Sequence, residues 1–436
     1  MKPLWLALAA VAVGIVAGIG AVIFRGLIGL VHNLLFLGVL SVRYDSRVHT
    51  PPGPWGAGIV LAPVLGAAGV VFLVKTFASE ARGRGVSEVM DAVYYHQGKI
   101  RPIVGLIKAL ASALTIGSGG SAGREGPILQ IGACFGSTLG QALRVPTWQR
   151  VTLVLSGAAG GIAATFNTPI GGILFILETM APEIRVRTVV PMAVATVAAT
   201  CVGRFFFGAN PAFPIPDGGS HPVMPVLAAC AVLGLLTGVV STVFIKAVFG
   251  LEDAIEQWSV GGCFWQHVAA MFGVGLVMFG LLKMYGHYFV EGVGYATIRD
   301  ILSQAPLPFS LLLILFVLKL LVTSLTLGSG ASGGVFSPAL FLGATLGGAY
   351  GVDLSHIFPA LGSTDFAVAG MAGVVGGSTG AALAAVVMLL EMTGDFNLVL
   401  PMLLTAGVSY AIRKRLCAES IYTLKLARQG HFIPPT

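Results

Sequence analysis

Charge is what this chain lacks. Of its 436 residues only 10% are Asp, Glu, Lys or Arg, against about 25% in a typical soluble domain. A water-facing surface cannot be assembled from so few charges, which excludes a soluble enzyme and equally a disordered, charge-rich chain. Cysteine is scarce too. Cys134, Cys201, Cys230, Cys263 and Cys417 stand singly, mostly in apolar stretches, with no C-x-x-C pair. That excludes a disulfide framework and a thiolate metal site, and leaves them as packing residues. The eight histidines show no H-E-x-x-H or other ligand spacing. What the chain has instead is 56% hydrophobic residues, 60 glycines and a mean hydropathy of +0.90. Such a chain belongs in lipid. The fold class it predicts is an all-α polytopic membrane protein, since a spanning helix satisfies its own backbone where water is absent.

The net charge of +7 is not a nucleic-acid footprint. Its Lys and Arg residues fall mostly in short connections, such as Arg43, Arg47, Arg185, Arg187 and Arg413-Lys414-Arg415, where they set topology on the cytoplasmic side of a cell membrane. The lipid bilayer is thus the first partner implied, with the basic C-terminal end cytoplasmic. The N-terminal run Leu4–Phe24 follows Lys2 as a signal peptide would, but it is long enough to span and is read as the first membrane helix. Apolar segments then succeed one another to the C-terminal region, several of them short or interrupted by Gly and Pro. A Pro- and Gly-rich connection over 207–221 divides the chain into halves, 1–206 and 222–436.

The halves repeat each other. At a shift of 211 residues, eleven of the twenty positions of Leu114–Ala133 are identical in Leu325–Ala344, and Lys108 falls on Lys319. A shift of 213 pairs Gly157–Gly160 with Gly370–Gly373 and Glu178 with Glu391; a shift of 209 pairs Gly83–Gly85 with Gly292–Gly294. Membrane composition can align Leu and Ala by accident, but it does not keep Gly, Ser, Pro, Lys and Glu in order. Duplicated halves with glycine-broken, re-entrant helices are the pattern of inverted-topology transporters, whose binding site lies at mid-membrane where half-helices meet.

Each half carries one glycine-rich turn into an apolar helix, Gly117–Pro127 and Gly328–Pro338. Glycine lets a backbone approach a ligand, and the free N–H groups of the following helix make an anion site without a cationic side chain to trap the ion. Close helix packing is the alternative use of the same glycines. Glu125 stands out because a carboxylate in the first turn of a buried helix is costly unless it has a function. Ionised, it competes for the position an anion would take; protonated or swung aside, it yields, which makes it a gate. Two look-alikes fail. Gly328–Gly333 satisfies G-x-G-x-x-G without a preceding strand, and Gly330–Gly333 resembles the turn of an intramembrane serine protease, but only His356 and His431 follow it. No enzyme and no resident cofactor are expected. An organic-solute transporter is disfavoured because no polar cluster large enough to orient such a solute accompanies the repeats.

Gly83-Arg-Gly-Val-Ser87, Gly123-Arg-Glu-Gly-Pro127, Gly334-Val-Phe-Ser-Pro338 and Tyr422, in that order, resemble the CLC family of chloride channels and proton-coupled chloride exchangers; Phe166–Pro169 and Ile173–Glu178 are similar as well. The resemblance implies a homodimer with an anion pathway in each subunit, bound chloride ions as the only ligands, and no CBS domains in this chain. It implies that Glu125 is the gate, that the backbone around Arg124, Glu125 and Gly126 and the N–H groups of Val335 and Phe336 line the outer pathway, and that the Tyr422 hydroxyl meets a central ion above the backbone of Gly83, Arg84, Gly85 and Val86. Three departures stand out. Arg84 replaces a serine, with an expected orientation toward the cytoplasmic vestibule or a pairing with Glu88. Glu178-Thr179 holds threonine where exchangers often relay protons inward, and Met90 replaces a further acid. Chloride with protons as a second substrate, chloride alone, and fluoride or nitrate all remain open, although the retention of Glu125 and Tyr422 favours a coupled exchanger.

Overall fold

The computed structural model describes residues 3–182, 184–215, 223–257, 262–303, 307–357 and 362–433; part of the connection over 207–221 lies outside them. Among the described residues there is no β-strand, and seventeen α-helices account for the architecture. The first half contributes α1 (Pro3–His32), α2 (Ala62–Phe77), α3 (Val86–Tyr94), α4 (Pro102–Gly117), α5 (Glu125–Ala142), α6 (Thr147–Phe166), α7 (Pro169–Thr179) and α8 (Val186–Phe207). The second contributes α9 (Val223–Gln257), α10 (Gly262–Tyr285), α11 (Tyr295–Leu302), α12 (Phe309–Gly328), α13 (Phe336–Ile357), α14 (Ser363–Thr379), α15 (Ala382–Thr393) and α16 (Val399–Leu416), followed by α17 (Thr423–Arg428). Eight helices answer eight. Among the described residues seven segments are long and apolar enough to cross a bilayer, those containing α1, α2, α8, α9, α10, α12 and α16.

Packing repeats as the sequence does. α5 lies against α6 as α13 lies against α14, α1 against α8 as α9 against α16, and α2 against α4 as α10 against α12. Glycine is what permits the closest of these approaches. A Cβ at Gly132 would overlap the Gly157 carbonyl, and one at Gly343 would overlap that of Gly370, the equivalent pair. For these four glycines tight helix contact is the whole explanation. α6 and α14, built largely of Gly and Ala, are buried almost throughout and form the centre of each half.

The two halves are tied by reciprocal bonds. Gly123 N–H donates to the Gly334 carbonyl at 2.8 Å and Gly334 N–H returns a bond to Gly123 at 2.7 Å. These are equivalent residues, and such mutual pairing requires the two loops to run antiparallel, as an in-plane two-fold relation demands. Glu391 likewise accepts from the first amides of α7, Ile170 (3.1 Å) and Gly171 (2.7 Å), while Glu178 accepts from those of α15, Leu383 (3.3 Å) and Ala384 (2.7 Å). Each half caps a helix of the other with its own glutamate.

Candidate anion-binding site

Four half-helices, α3, α5, α11 and α13, begin at the glycine turns. The turn before α3 needs glycine at both ends: Gly83 and Gly85 sit at φ of 107° and 91°, a region closed to most side chains. A Cβ at Gly85 would overlap the Gly126 carbonyl, and one at Gly126 the Arg84 carbonyl, so the two loops touch backbone to backbone. Two buried lysines hold the loops from behind. Lys108 donates to the carbonyls of Ala81 (3.2 Å) and Gly83 (2.6 Å), and its repeat partner Lys319 donates to Val290 (2.9 Å) and Gly292 (3.0 Å). A buried ammonium is tolerable only with such partners. Each lysine takes up loop carbonyls and thereby keeps those oxygens turned away from the site.

The first amides of α5 and α13 face that site. Pro127 and Pro338 stand at the third position of each helix and so remove one orphan donor each. Among the described residues, the buried N–H groups of Gly126, Val335 and Phe336 meet no hydrogen-bond acceptor. Buried amides without partners are rare and call for an explanation. The Ser337 amide shows what they await: it donates to Oε2 of Glu125 at 3.3 Å.

Glu125 is 3% exposed. Its Oε1 accepts from the Tyr295 hydroxyl at 3.0 Å and from the Ser337 hydroxyl, and those hydroxyls lie 2.9 Å from each other. Among the described residues no Lys or Arg forms an ion pair with it. The carboxylate therefore rests among dipoles, where an anion would sit. Gly123 makes room for it, because a Cβ there would overlap Oε2. Arg124, next in sequence, turns its guanidinium toward the rings of Phe166 (5.1 Å) and Tyr295 (5.2 Å).

From the gate a wall of aromatic rings leads to Tyr422. Phe336 packs against Phe175 at 6.2 Å, and Phe175 meets Tyr422 edge-on at 6.2 Å. The Tyr422 ring is buried, and its hydroxyl makes no hydrogen bond to a described residue; its carbonyl accepts from the Ser87 hydroxyl at 3.0 Å. Beyond lies a cavity of about 520 Å³ lined by Gly83, Arg84, Ser87, Glu88, Glu252 and Lys425 among others.

Arg84 faces this cavity but does not pair with Glu88. Its guanidinium bonds Glu252 of α9 at 3.0 Å and lies 4.1 Å from the centre of the Phe249 ring. Glu88 is occupied by Lys425 and by the Gly85 amide at 2.7 Å, which withdraws that amide from any anion. On α7 the Thr179 hydroxyl donates to the Phe175 carbonyl at 2.5 Å, while Glu178 is bound to the start of α15. Val86 is buried as the first residue of α3.

Sequence reasoning missed Tyr295, Ser337 as a ligand, the clamping role of both lysines, and Phe175. A signal existed for the first. Tyr295 follows Gly292–Gly294, the copy of the loop preceding Val86, and so stands at the start of a half-helix.

The chain matches the family model described as voltage gated chloride channel over residues 66–414. It is 32% identical over 435 residues to the H(+)/Cl(-) exchange transporter ClcA of Yersinia pseudotuberculosis serotype IB, covering 98% of this chain and 88% of that protein. The H(+)/Cl(-) exchange transporter ClcA of Citrobacter koseri is 32% identical over 436 residues, with 98% and 89% covered. Among solved structures, a slow cyanobacterial Cl-/H+ antiporter superposes with a TM-score of 0.85 at 24% identity, covering 97% of both chains. A CLC-type fluoride/proton antiporter superposes at 0.79, also with 24% identity and 97% coverage of both.

Proposed function

The chain belongs to the voltage-gated chloride channel family, and from that premise we propose that it carries chloride across a membrane in exchange for protons, with Glu125 as the gate. The observation that carries this is the carboxylate of Glu125 held by the Ser337 amide beside the unpartnered amides of Gly126, Val335 and Phe336. A group held as an anion is held can be displaced by one. Protonation cancels its charge, weakens its hold on the donors and surrenders the position to chloride; the same proton is then available for transfer. The Tyr422 hydroxyl and the backbone between it and Glu125 form the next station.

Relatives that carry the exchanger name support coupling over free conduction. Thr179 spends its hydroxyl on its own helix and Glu178 caps α15, so neither passes a proton inward. Protons on that side must come by water rather than by a side-chain relay, entering from the cavity of about 520 Å³. We place that cavity on the cytoplasmic side, in keeping with Arg82, Lys99, Arg101 and Lys425 in its lining. The unit is a homodimer of independent pathways. α7 and α15 have only 11 and 12 residues, and their exposed Ile170 (59%) and Leu383 (56%) form an apolar face on helices too short to span alone.

The test is the reversal potential of purified protein in a bilayer under an imposed pH gradient at fixed chloride. A shift of that potential with pH is expected. A value that stays at the chloride equilibrium potential would mean an uncoupled channel.

A further inference from the structure

A second cavity, of about 60 Å³, lies beyond Tyr295, whose ring forms one wall of it while its hydroxyl holds Glu125. Four arginines line it, Arg25, Arg47, Arg124 and Arg204, and among the described residues no carboxylate does; Arg47, expected on the cytoplasmic side, thus lies across the gate from the larger cavity. Two of the four are satisfied. Arg47 forms a forked pair with Asp45, both bonds 3.0 Å, and Arg204 donates to Asn167 at 2.7 Å. Burial works against the Asp45 charge, yet the bonds from Arg47 hold its carboxyl below the usual range, so Asp45 is ionised and already committed.

Arg25 and Arg124 have no such partner. Among the described residues neither forms a hydrogen bond or ion pair with a carboxylate, Asp45 acting on Arg25 and Glu125 on Arg124 only through space; Arg25 lies 4.4 Å from the centre of the Phe207 ring. Arg124 is 8% exposed and its Nε is buried without a hydrogen-bond acceptor, and Thr200, 5% exposed, has a hydroxyl in the same condition. All three line this one cavity. Positive charges placed together in a partly buried space repel each other and lose hydration, a cost that an anion between them removes. The space holds only a few water-sized particles, too few for an organic anion.

We propose that this cavity is a further anion site outside the gate, where Arg25, Arg124 and Thr200 hold a small inorganic monoanion before it reaches Glu125. It rests on the transport reading for its role but not for its existence. The ion waits one ring away from the gate, and Tyr295 separates the two positions. Unlike the gate, built of dipoles, this site uses full charges, in a cavity that opens to bulk solution and lets the ion leave again.

Full-length protein in liposomes, with chloride varied on one side at a time, tests the role. Arg25→Gln is expected to raise the half-saturating external chloride about tenfold, equivalent to the loss of about 1.4 kcal/mol of binding, with the internal value moving much less. Arg25→Lys keeps the charge and should stay nearer the native value, which separates a lost ligand from a misfolded chain. Thr200→Val, which changes no charge, should raise external half-saturation about threefold, on the order of 0.65 kcal/mol. An effect of Arg25→Gln that is absent in Thr200→Val and vanishes in added gluconate salt would indicate a diffuse field and overturn a bound ion. Crystals grown in bromide test the site apart from transport: an anomalous peak between Arg25 and Thr200, lost in Arg25→Gln, is expected even from protein that moves no chloride. Absence of that peak in the native protein would overturn the site; failure of chloride flux with the peak present would overturn the transport reading alone.

Discussion

Replacing Tyr295 by Phe removes one oxygen and leaves the ring. The ring keeps its edge contact with Phe213 at 5.1 Å, and the Ser337 hydroxyl and amide remain on the carboxylate. What disappears is the 3.0 Å bond to Oε1. A hydrogen bond to a charged group contributes about 1.5–3 kcal/mol, so the seated, ionised Glu125 loses about tenfold to a hundredfold in population relative to the displaced one. The loss shows only where Glu125 is ionised. At acidic external pH the proton has already neutralised the gate, and variant and native flux should nearly coincide. At alkaline external pH native flux is low because the carboxylate occupies the anion position, and the variant should conduct about tenfold faster or more, its flux–pH curve displaced toward alkaline pH. Chloride efflux from liposomes, initial rate against external pH, is the assay. Superimposable curves would mean that the carboxylate is not held where the structure places it.

Gly123→Ala should release the gate outright, since the new Cβ takes the space of Oε2; flux that remains pH-dependent in this variant would contradict the packing. Glu252→Gln deprives Arg84 of its ionic partner, and a free guanidinium near the pathway should hold the ion and slow flux about tenfold, as about 1.4 kcal/mol of extra binding does, between the roughly 1 kcal/mol of a charge pair about 4 Å apart in water and roughly 4 kcal/mol at an effective dielectric of about 20; Arg84→Ser in the same chain should restore it, and failure of that rescue would remove Arg84 from the explanation. Glu178→Gln and Glu391→Gln each weaken two amide bonds at a helix start and should cost about 1–3 kcal/mol of stability, read as earlier thermal unfolding in detergent. Proton coupling should survive in both; its loss in Glu178→Gln would restore that residue as an inward proton carrier.

The duplication and the two glycine turns were legible because they are local and repeat at fixed shifts. Glu125 was legible because a carboxylate in an apolar run has few structural uses. Arg84 was partly legible: its orientation into the vestibule follows from the cost of a cation in the pathway, but Glu252 lies 168 residues away on α9, and only the folded chain brings it close. Glu88, four residues from Arg84, was the alternative partner by nearness in sequence. The Gly85 amide and Lys425 had first claim on it. Tyr295 and Ser337 were hidden for a similar reason. Their hydroxyls have ordinary uses in membrane helices, and their meeting at Oε1 depends on α11 and α13 converging from the second half onto a residue of the first. Lys108 and Lys319 served in the sequence as markers of the repeat; that both hold loop carbonyls is visible only in three dimensions.

The central claim is that one carboxylate both blocks the anion position and carries the proton. Glu125→Gln tests it most directly, since the amide has the shape of the protonated acid and no charge with which to compete. Chloride flux through this variant should persist, become nearly independent of external pH, and move no protons against a chloride gradient. A Glu125→Gln protein that keeps the native pH dependence, or still pumps protons, would contradict the account.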